Sequence, residues 1–208
     1  MHCNLDKAHY EGVGKYDIPL INPIDSIDTV DNWIGFNYAK NLKHGEDNSH
    51  NGVHFYLDDY QFEGLWTFTD RYLKQLSSYK YVLSPDFSLY SNYPFVIQLY
   101  NHYRKHWIAR YLTEKGIIVV PSINWGDERS FEYCFDGEPQ NSVVAVTDTG
   151  TRFKSDSREM FELGYNEMVD RLNPKKVIIF TRTDNFEPLE KLRGDKEYVN
   201  ICRFGRKE

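Results

Sequence analysis

Residues 92–116, NYPFVIQLYNHYRKHWIARYLTEKG, run without a break into residues 117–128, IIVVPSINWGDE. The first stretch has the marks of a helix with both ends signalled. Asn92 is placed to cap it, Pro94 falls in its first turn, where a missing N–H costs nothing, and Gly116 supplies the stop. The second stretch begins as a nearly continuous apolar run, the pattern of a strand covered on both faces of a parallel sheet. It ends on Asn124, Trp125, Asp127 and Glu128. A helix delivered by one glycine into a doubly buried strand is half of a βα unit.

The rest of the chain repeats that unit. GVHFYLDD (52–59) is β-branched and aromatic, as strands prefer, and ends on Asp58 and Asp59. YVLSPDFS (81–88) ends on Asp86 and Ser88, and SVVAVTDTGT (142–151) on Thr147, Asp148 and Thr149. VIIFT (177–181) and YVNICRF (198–204) read as further strands. Between them lie helical patterns. Residues 62–76 carry apolar spacing at Leu65, Trp66, Tyr72, Leu73 and Leu76. Residues 127–135 form a short helix opened by Asp127, and an acidic-start helix begins at Ser155 or Asp156. Residues 33–43 read as a short helix too, and another begins at Leu189–Leu192.

Strict alternation of this kind predicts an α/β fold of repeated βα units, with right-handed crossovers and a mainly parallel sheet or incomplete TIM-like barrel. Five or six units are too few for a closed eight-stranded barrel. Residues 1–50, with Pro19 and Pro23 bracketing an irregular stretch, form an N-terminal extension packed on the α/β domain at 51–208.

Composition narrows the partners. The 208-residue chain has a net charge of −6, which argues against a general nucleic-acid coat and leaves a nucleic-acid partner open without pointing to one. Sixteen Tyr, thirteen Phe and four Trp suit a half-buried recognition rim or an aromatic core. Cys3, Cys134 and Cys202 are far apart and form no CxxC pair, so neither a zinc ribbon nor a disulfide framework is expected. His44 and His50 fall in a polar loop with His54 just beyond it, so they share no helix face and do not read as metal ligands. The N-terminus shows no signal-peptide pattern, and no apolar run approaches the ~20 residues of a membrane span. A soluble protein of a reducing cytoplasm is expected.

The stretch from Gly52 to about Thr181 resembles an uncharacterised family of bacteria, phages and mobile elements, the domain of unknown function 4417. The resemblance is carried by GVHFYLDDYQFEGLW (52–66), PDFSLYSNYP (85–94) and NHYRKHWI (101–108), then GIIVVPSINWGDERSFEYCFDG (116–137) and FELGYNEMVDRLNP (161–174). It implies relatives in phage and integrative-element genomes and supplies no reaction, so function rests on the residues themselves.

Parallel α/β proteins keep their chemistry beyond the carboxyl ends of their strands. Asp59, Asp86 and Asp127 at those ends are candidate ligands for a hard divalent cation, Mg²⁺ or Mn²⁺, that activates water at a phosphoester. With them Glu128 is a candidate general base. The competing role for each Asp is to cap the helix that follows it. Asn101 and Arg104, three apart on one helix face, are candidates for binding phosphate or carboxylate, with a structural ion pair as the alternative for Arg104. Trp125 offers a ring for stacking, and Thr147 and Asp148 offer polar groups before a helix. No GxSxG, Walker or dinucleotide fingerprint is present. Two functions follow. The favoured one is a phage or mobile-element binding protein whose aromatic and acidic rim engages a host protein or sequesters a small, phosphorylated ligand, as in counter-defence. The alternative is a metal-dependent phosphoester hydrolase acting on nucleic acid or nucleotide.

Overall fold

The computed structural model describes residues 7–41, 47–149, 155–182 and 192–201. The chain opens with β1 (Gly12–Val13) and β2 (Ile18–Pro19), a small antiparallel ribbon. β3 (Trp33–Gly35) and α1 (Phe36–Ala39) follow, then β4 (Gly52–His54), a 3₁₀ turn at Asp59–Gln61, α2 (Glu63–Thr67), α3 (Thr69–Leu76) and β5 (Tyr81–Leu83). α4 (Phe95–Glu114) leads to β6 (Val119–Val120) and a second 3₁₀ turn at Glu128–Glu132. β7 (Val143–Thr147), α5 (Ser155–Leu172), β8 (Lys176–Thr181) and β9 (Lys196–Asn200) complete the order. Gly116 ends α4 at φ +81°, a conformation that glycine adopts without a Cβ penalty.

β3, β4, β5 and β6 form one parallel sheet and β7, β8 and β9 another. A parallel bridge from Ser122 to Ala145 joins them, reinforced by Ile123 N–H donating to the Ala145 carbonyl at 2.8 Å. The fold is α/β with parallel strands, as the alternation predicts. Spatial order follows chain order with no reversal, so the sheet curls instead of offering the crevice of a doubly wound fold. The curl brings the Phe180 ring on β8 within 5.1 Å of the Trp33 ring on β3 and 5.0 Å of Tyr56. β3 and β9 are the two end strands of the described sheets, and a cleft lined by Trp33, Ile178 and Val199 lies where they approach.

Alternation along β7 and β8 builds two cores at once. Val143, Ala145, Ile178 and Phe180 pack inside the curl with Val53, Val82 and Val120. Val144, Val146, Val177 and Ile179 face the other way, onto Phe161, Tyr165, Met168 and Leu172 of α5. Such two-sided burial is why these strands read as unbroken apolar runs. The N-terminal segment covers α4 from outside: Trp107 Nε1 donates to the Ala8 carbonyl at 2.8 Å, and Lys7 Nζ stands 4.1 Å from the Trp107 ring centre.

Some local expectations change. Residues 33–35 are a strand, not the start of a helix, because Ile34 pairs with Val53 and the Trp33 indole lies over Gly52, where any Cβ would collide with it. Sheet pairing therefore overrides the local pattern. The helix expected over 62–76 breaks at Phe68 (φ −133°, ψ 50°) into α2 and α3. α4 is capped from Pro94, two residues past Asn92, and 128–132 is a 3₁₀ turn. Cys3, His44, Leu189 and Cys202 lie outside the described residues. Among those described, no helix is long and apolar enough to cross a membrane.

Candidate functional site

The carboxyl ends of β4 to β8 open onto one cleft of about 340 Å³. Tyr56, Leu57 and Asp58 reach its wall from the segment after β4, and Asp86, Ser88, Leu89 and Tyr90 from the segment after β5. Ile123, Asn124 and Trp125 follow β6, Thr147 ends β7, Phe161 comes from α5 and Arg182 follows β8.

Asp86 is the titratable group of interest. Its Oδ1 is closed off from solvent and has no hydrogen-bond partner. Burial pushes the carboxyl up to about 7, with Lys105 opposing the rise and the Asp59 charge adding to it. Near neutrality such a group is divided between its acid and its anion, so it can meet a ligand as donor or as acceptor. Tyr56 stands beside it, with its hydroxyl 3.0 Å from Ser122 Oγ and its carbonyl accepting from the Arg182 guanidinium. Burial also holds the Tyr56 phenol well above its usual range.

The residues singled out from the sequence divide between the cleft and its supports. Asp86, Trp125 and Thr147 line it together. Asp59 lies behind the wall, where its carboxylate accepts from Ser88 N (3.1 Å) and Ser88 Oγ (2.8 Å) and so ties the loop after β4 to the loop after β5. Asn101 Nδ2 donates to the Ser88 carbonyl at 2.8 Å. Arg104 pairs with Glu63 at 2.5 Å and stacks 3.7 Å over the Phe87 ring centre. Three side chains thus hold the Asp86 loop, and the acid that meets Arg104 comes from α2 instead of from the strand ends. Asp127 is the N-cap of the second 3₁₀ turn, accepting from Arg129 N and, at 2.6 Å, from Arg129 Nη2. Hydrogen bonding from Arg129 keeps its carboxyl below the usual range. Glu128 is exposed on the same turn. Asp148 is 1% exposed, with its N–H donating to the Phe180 carbonyl.

Two residues not singled out from the sequence stand behind the cleft wall. Lys105, 1% exposed, donates to the Ser122 carbonyl (3.1 Å), Asn124 Oδ1 (3.1 Å) and Glu138 Oε1 (2.6 Å). The Glu138 side chain sits equally deep. Burial alone would push its carboxyl up, yet Lys105 and His106 together hold it below the usual range. Lys105 therefore links the cleft wall at Asn124 to a buried carboxylate behind it.

The Trp125 wall depends on one glycine. A Cβ at Gly164 in α5 would fall on the Trp125 indole. Alanine in a helix normally improves on glycine by about 1 kcal/mol. Here Gly164→Ala is expected to lower stability, by about 1–3 kcal/mol, and to turn Trp125 outward. A lower melting temperature with red-shifted tryptophan emission is the expected readout.

The family model described as "Domain of unknown function (DUF4417)" matches residues 10–198, a span that takes in the N-terminal ribbon and β3 as well as the sheet. The "Gene 1 protein" of Mycobacterium phage L5 is 34% identical over 198 residues, covering 95% of this chain and 85% of that one. The "Gene 1 protein" of Mycobacterium phage D29 is 31% identical over 193 residues, covering 93% and 70%. No solved structure matches the chain. With a match of this extent on both counts, the protein belongs to the DUF4417 family.

Proposed function

We propose that the protein binds a small planar ligand carrying an N–H donor in the cleft above Asp86, and withholds it from other proteins in the cytoplasm of a bacterial host. The observation behind this reading is Asp86 itself, an acid with an unpartnered oxygen on the wall of a cleft of ligand size. A buried polar group left unsatisfied costs about 1–3 kcal/mol, and a turn of the Asp86 carboxyl that presents this oxygen to a donor on the ligand recovers that cost. Trp125 and Phe161, with ring centres 5.6 Å apart, give an aromatic side to the same cleft. A nucleobase fits both features, with its ring against Trp125 and a ring N–H on Asp86. In a family with phage members, sequestering a nucleoside or nucleotide would serve counter-defence.

Phosphoester hydrolysis has one supporting observation, the Asp86 carboxyl at about 7, suited to moving a proton at neutral pH. Binding has the stronger support, because the Asp59 and Asp127 carboxylates are already engaged by Ser88 and Arg129.

The test is thermal denaturation and tryptophan emission with adenosine, guanosine, cytidine, uridine and their monophosphates, each with and without Mg²⁺ or Mn²⁺. One ring class should raise the melting temperature, by the equivalent of about 2.7 kcal/mol at a hundred times Kd, and shift the emission. Both responses should vanish in Trp125→Ala. No response from any member of the series overturns the binding reading. A response that needs Mg²⁺ or Mn²⁺ and releases inorganic phosphate establishes the hydrolase instead.

A further inference from the structure

We propose that His102, His106 and Glu138 form a buried site for a borderline divalent cation, zinc above all, behind the wall of the cleft. His102 and His106 stand one turn apart on α4 with ring centres 4.3 Å apart. Glu138 follows the second 3₁₀ turn, and one ligand atom from each of the three residues lies within 4.8 Å of the others. Their exposures are 1%, 0% and 5%.

Hydrogen bonds fix which nitrogen each ring presents. His102 Nε2 is 2.9 Å from the Asp136 carbonyl, which can only accept, so Nε2 carries the proton and Nδ1 offers its lone pair. That Nδ1 is buried and has no partner. His106 Nδ1 is 2.8 Å from the Pro19 carbonyl, so in the neutral ring Nε2 is the lone-pair nitrogen, and it faces Glu138 Oε1 at 3.1 Å. A lone pair turned toward a carboxylate oxygen calls for a cation between them. The other carboxylate oxygen, Oε2, is buried and has no partner either. Two imidazoles each held by a backbone carbonyl on the far nitrogen is the outer-shell arrangement of metal-bound histidines.

Lys105 does not fill this role alone. Its three donors go to Glu138 Oε1, the Ser122 carbonyl and Asn124 Oδ1, leaving Oε2 and His102 Nδ1 unmet. Two nitrogens and one carboxylate oxygen suit Zn²⁺, Co²⁺ or Ni²⁺, whereas Mg²⁺ and Mn²⁺ prefer oxygen sets. The site is therefore distinct in kind from a hard-metal rim at the strand ends. Its residues and their carbonyl partners come from β2, α4 and the segment 136–138, so an ion there would fasten the N-terminal ribbon to the domain. Binding energy at such a site is folding energy.

Tag-free protein would be loaded with zinc, dialysed and assayed for metal content, and titrated separately with Co²⁺ while visible absorption is followed. Melting would be measured in EDTA and again after one equivalent of Zn²⁺ is restored. The expected results are one zinc per chain, visible bands from low-symmetry Co²⁺, and a melting temperature that falls in EDTA and recovers with zinc. His102→Phe keeps an aromatic ring at the site and removes both nitrogens, the partnerless Nδ1 and the Nε2 that donates to Asp136, so it should fold, at lower stability, and lose all three responses. Wild-type protein with no retained zinc and the same melting temperature in EDTA overturns the site, as does zinc retained unchanged in His102→Phe. The cluster is then a closed ion-pair network of Lys105, Glu138 and a doubly protonated His106. Should the variant not fold, the wild-type loading and chelation measurements decide alone.

Discussion

Lys105→Met is expected to destabilise the chelator-treated protein by about 3–5 kcal/mol, the usual cost of removing one partner from a buried ion pair. Lys105 and the Glu138 side chain are 1% and 0% exposed, and the 2.6 Å contact between them is the shortest of three that the ammonium makes. Methionine fills similar volume, so the loss is electrostatic: Glu138 keeps a buried charge without its cation, and Asn124 Oδ1 and the Ser122 carbonyl each lose a donor. Adding Glu138→Gln to Lys105→Met removes the stranded charge. The double variant should therefore be more stable than Lys105→Met alone, a coupling that urea denaturation of the four proteins measures directly. The pH dependence has a definite sign. Glu138 is held below its usual value in the folded protein, so its contribution is present above the unfolded carboxylate value of about 4.3 and is lost as pH falls through the folded value. Wild-type stability should drop on acidification, and Lys105→Met should lose most of that drop. Equal stabilities for Lys105→Met and the wild type would show that the pair contributes nothing.

The alternation of helix and strand was legible because each unit carries its own punctuation. Gly116 stops α4 and the apolar run after it enters the sheet, and β4 to β9 each showed as an apolar run in the sequence, whereas β1 and β2 fell in a segment read as irregular. β3 was hidden, since Trp33 and Ile34 before Gly35 and Phe36 also suit a short helix, and the partner that decides the matter, Gly52, is distant in sequence. Asp86, Trp125 and Thr147, singled out at strand ends, line one cleft. Which acid would be left unpartnered was not legible, because that depends on Ser88 reaching Asp59 and on Arg129 folding back onto Asp127. Asp at a helix start reads as a cap or as a ligand, and at Asp127 the cap geometry is what forms. The one signal in plain view and not used was the i, i+4 pair His102 and His106, inside a helix whose boundaries the sequence already marked. Glu138 could not have been added to it from the sequence, since the turn at Glu128–Glu132 and the segment after it bring that residue back under α4.

Asp86→Asn should make the protein more stable while depriving the cleft of its ligand response. The wild-type carboxyl stands at about 7 when folded, against about 3.9 in an unfolded chain. A raised value means that the folded state binds the proton more tightly, so the residue's contribution is favourable below about pH 4 and is lost as pH rises toward 7. Above 7 the folded protein holds a buried carboxylate opposed by burial and by Asp59, and only partly relieved by Lys105. Asparagine keeps the shape and removes the charge. Discounted for the part of Asp86 that the open cleft still solvates, the gain above neutrality should be about 1–3 kcal/mol, shrinking to little under acid conditions. Thermal denaturation of both proteins at about pH 5 and about pH 8 measures this, with the larger gap expected at the higher pH. A gap of the same size at both values would mean that Asp86 does not titrate in the folded protein as its burial requires. A stability cost of this kind at Asp86 would fit the ligand role proposed for it. The same Asp86→Asn protein should therefore fail to respond to the nucleosides that shift the wild type.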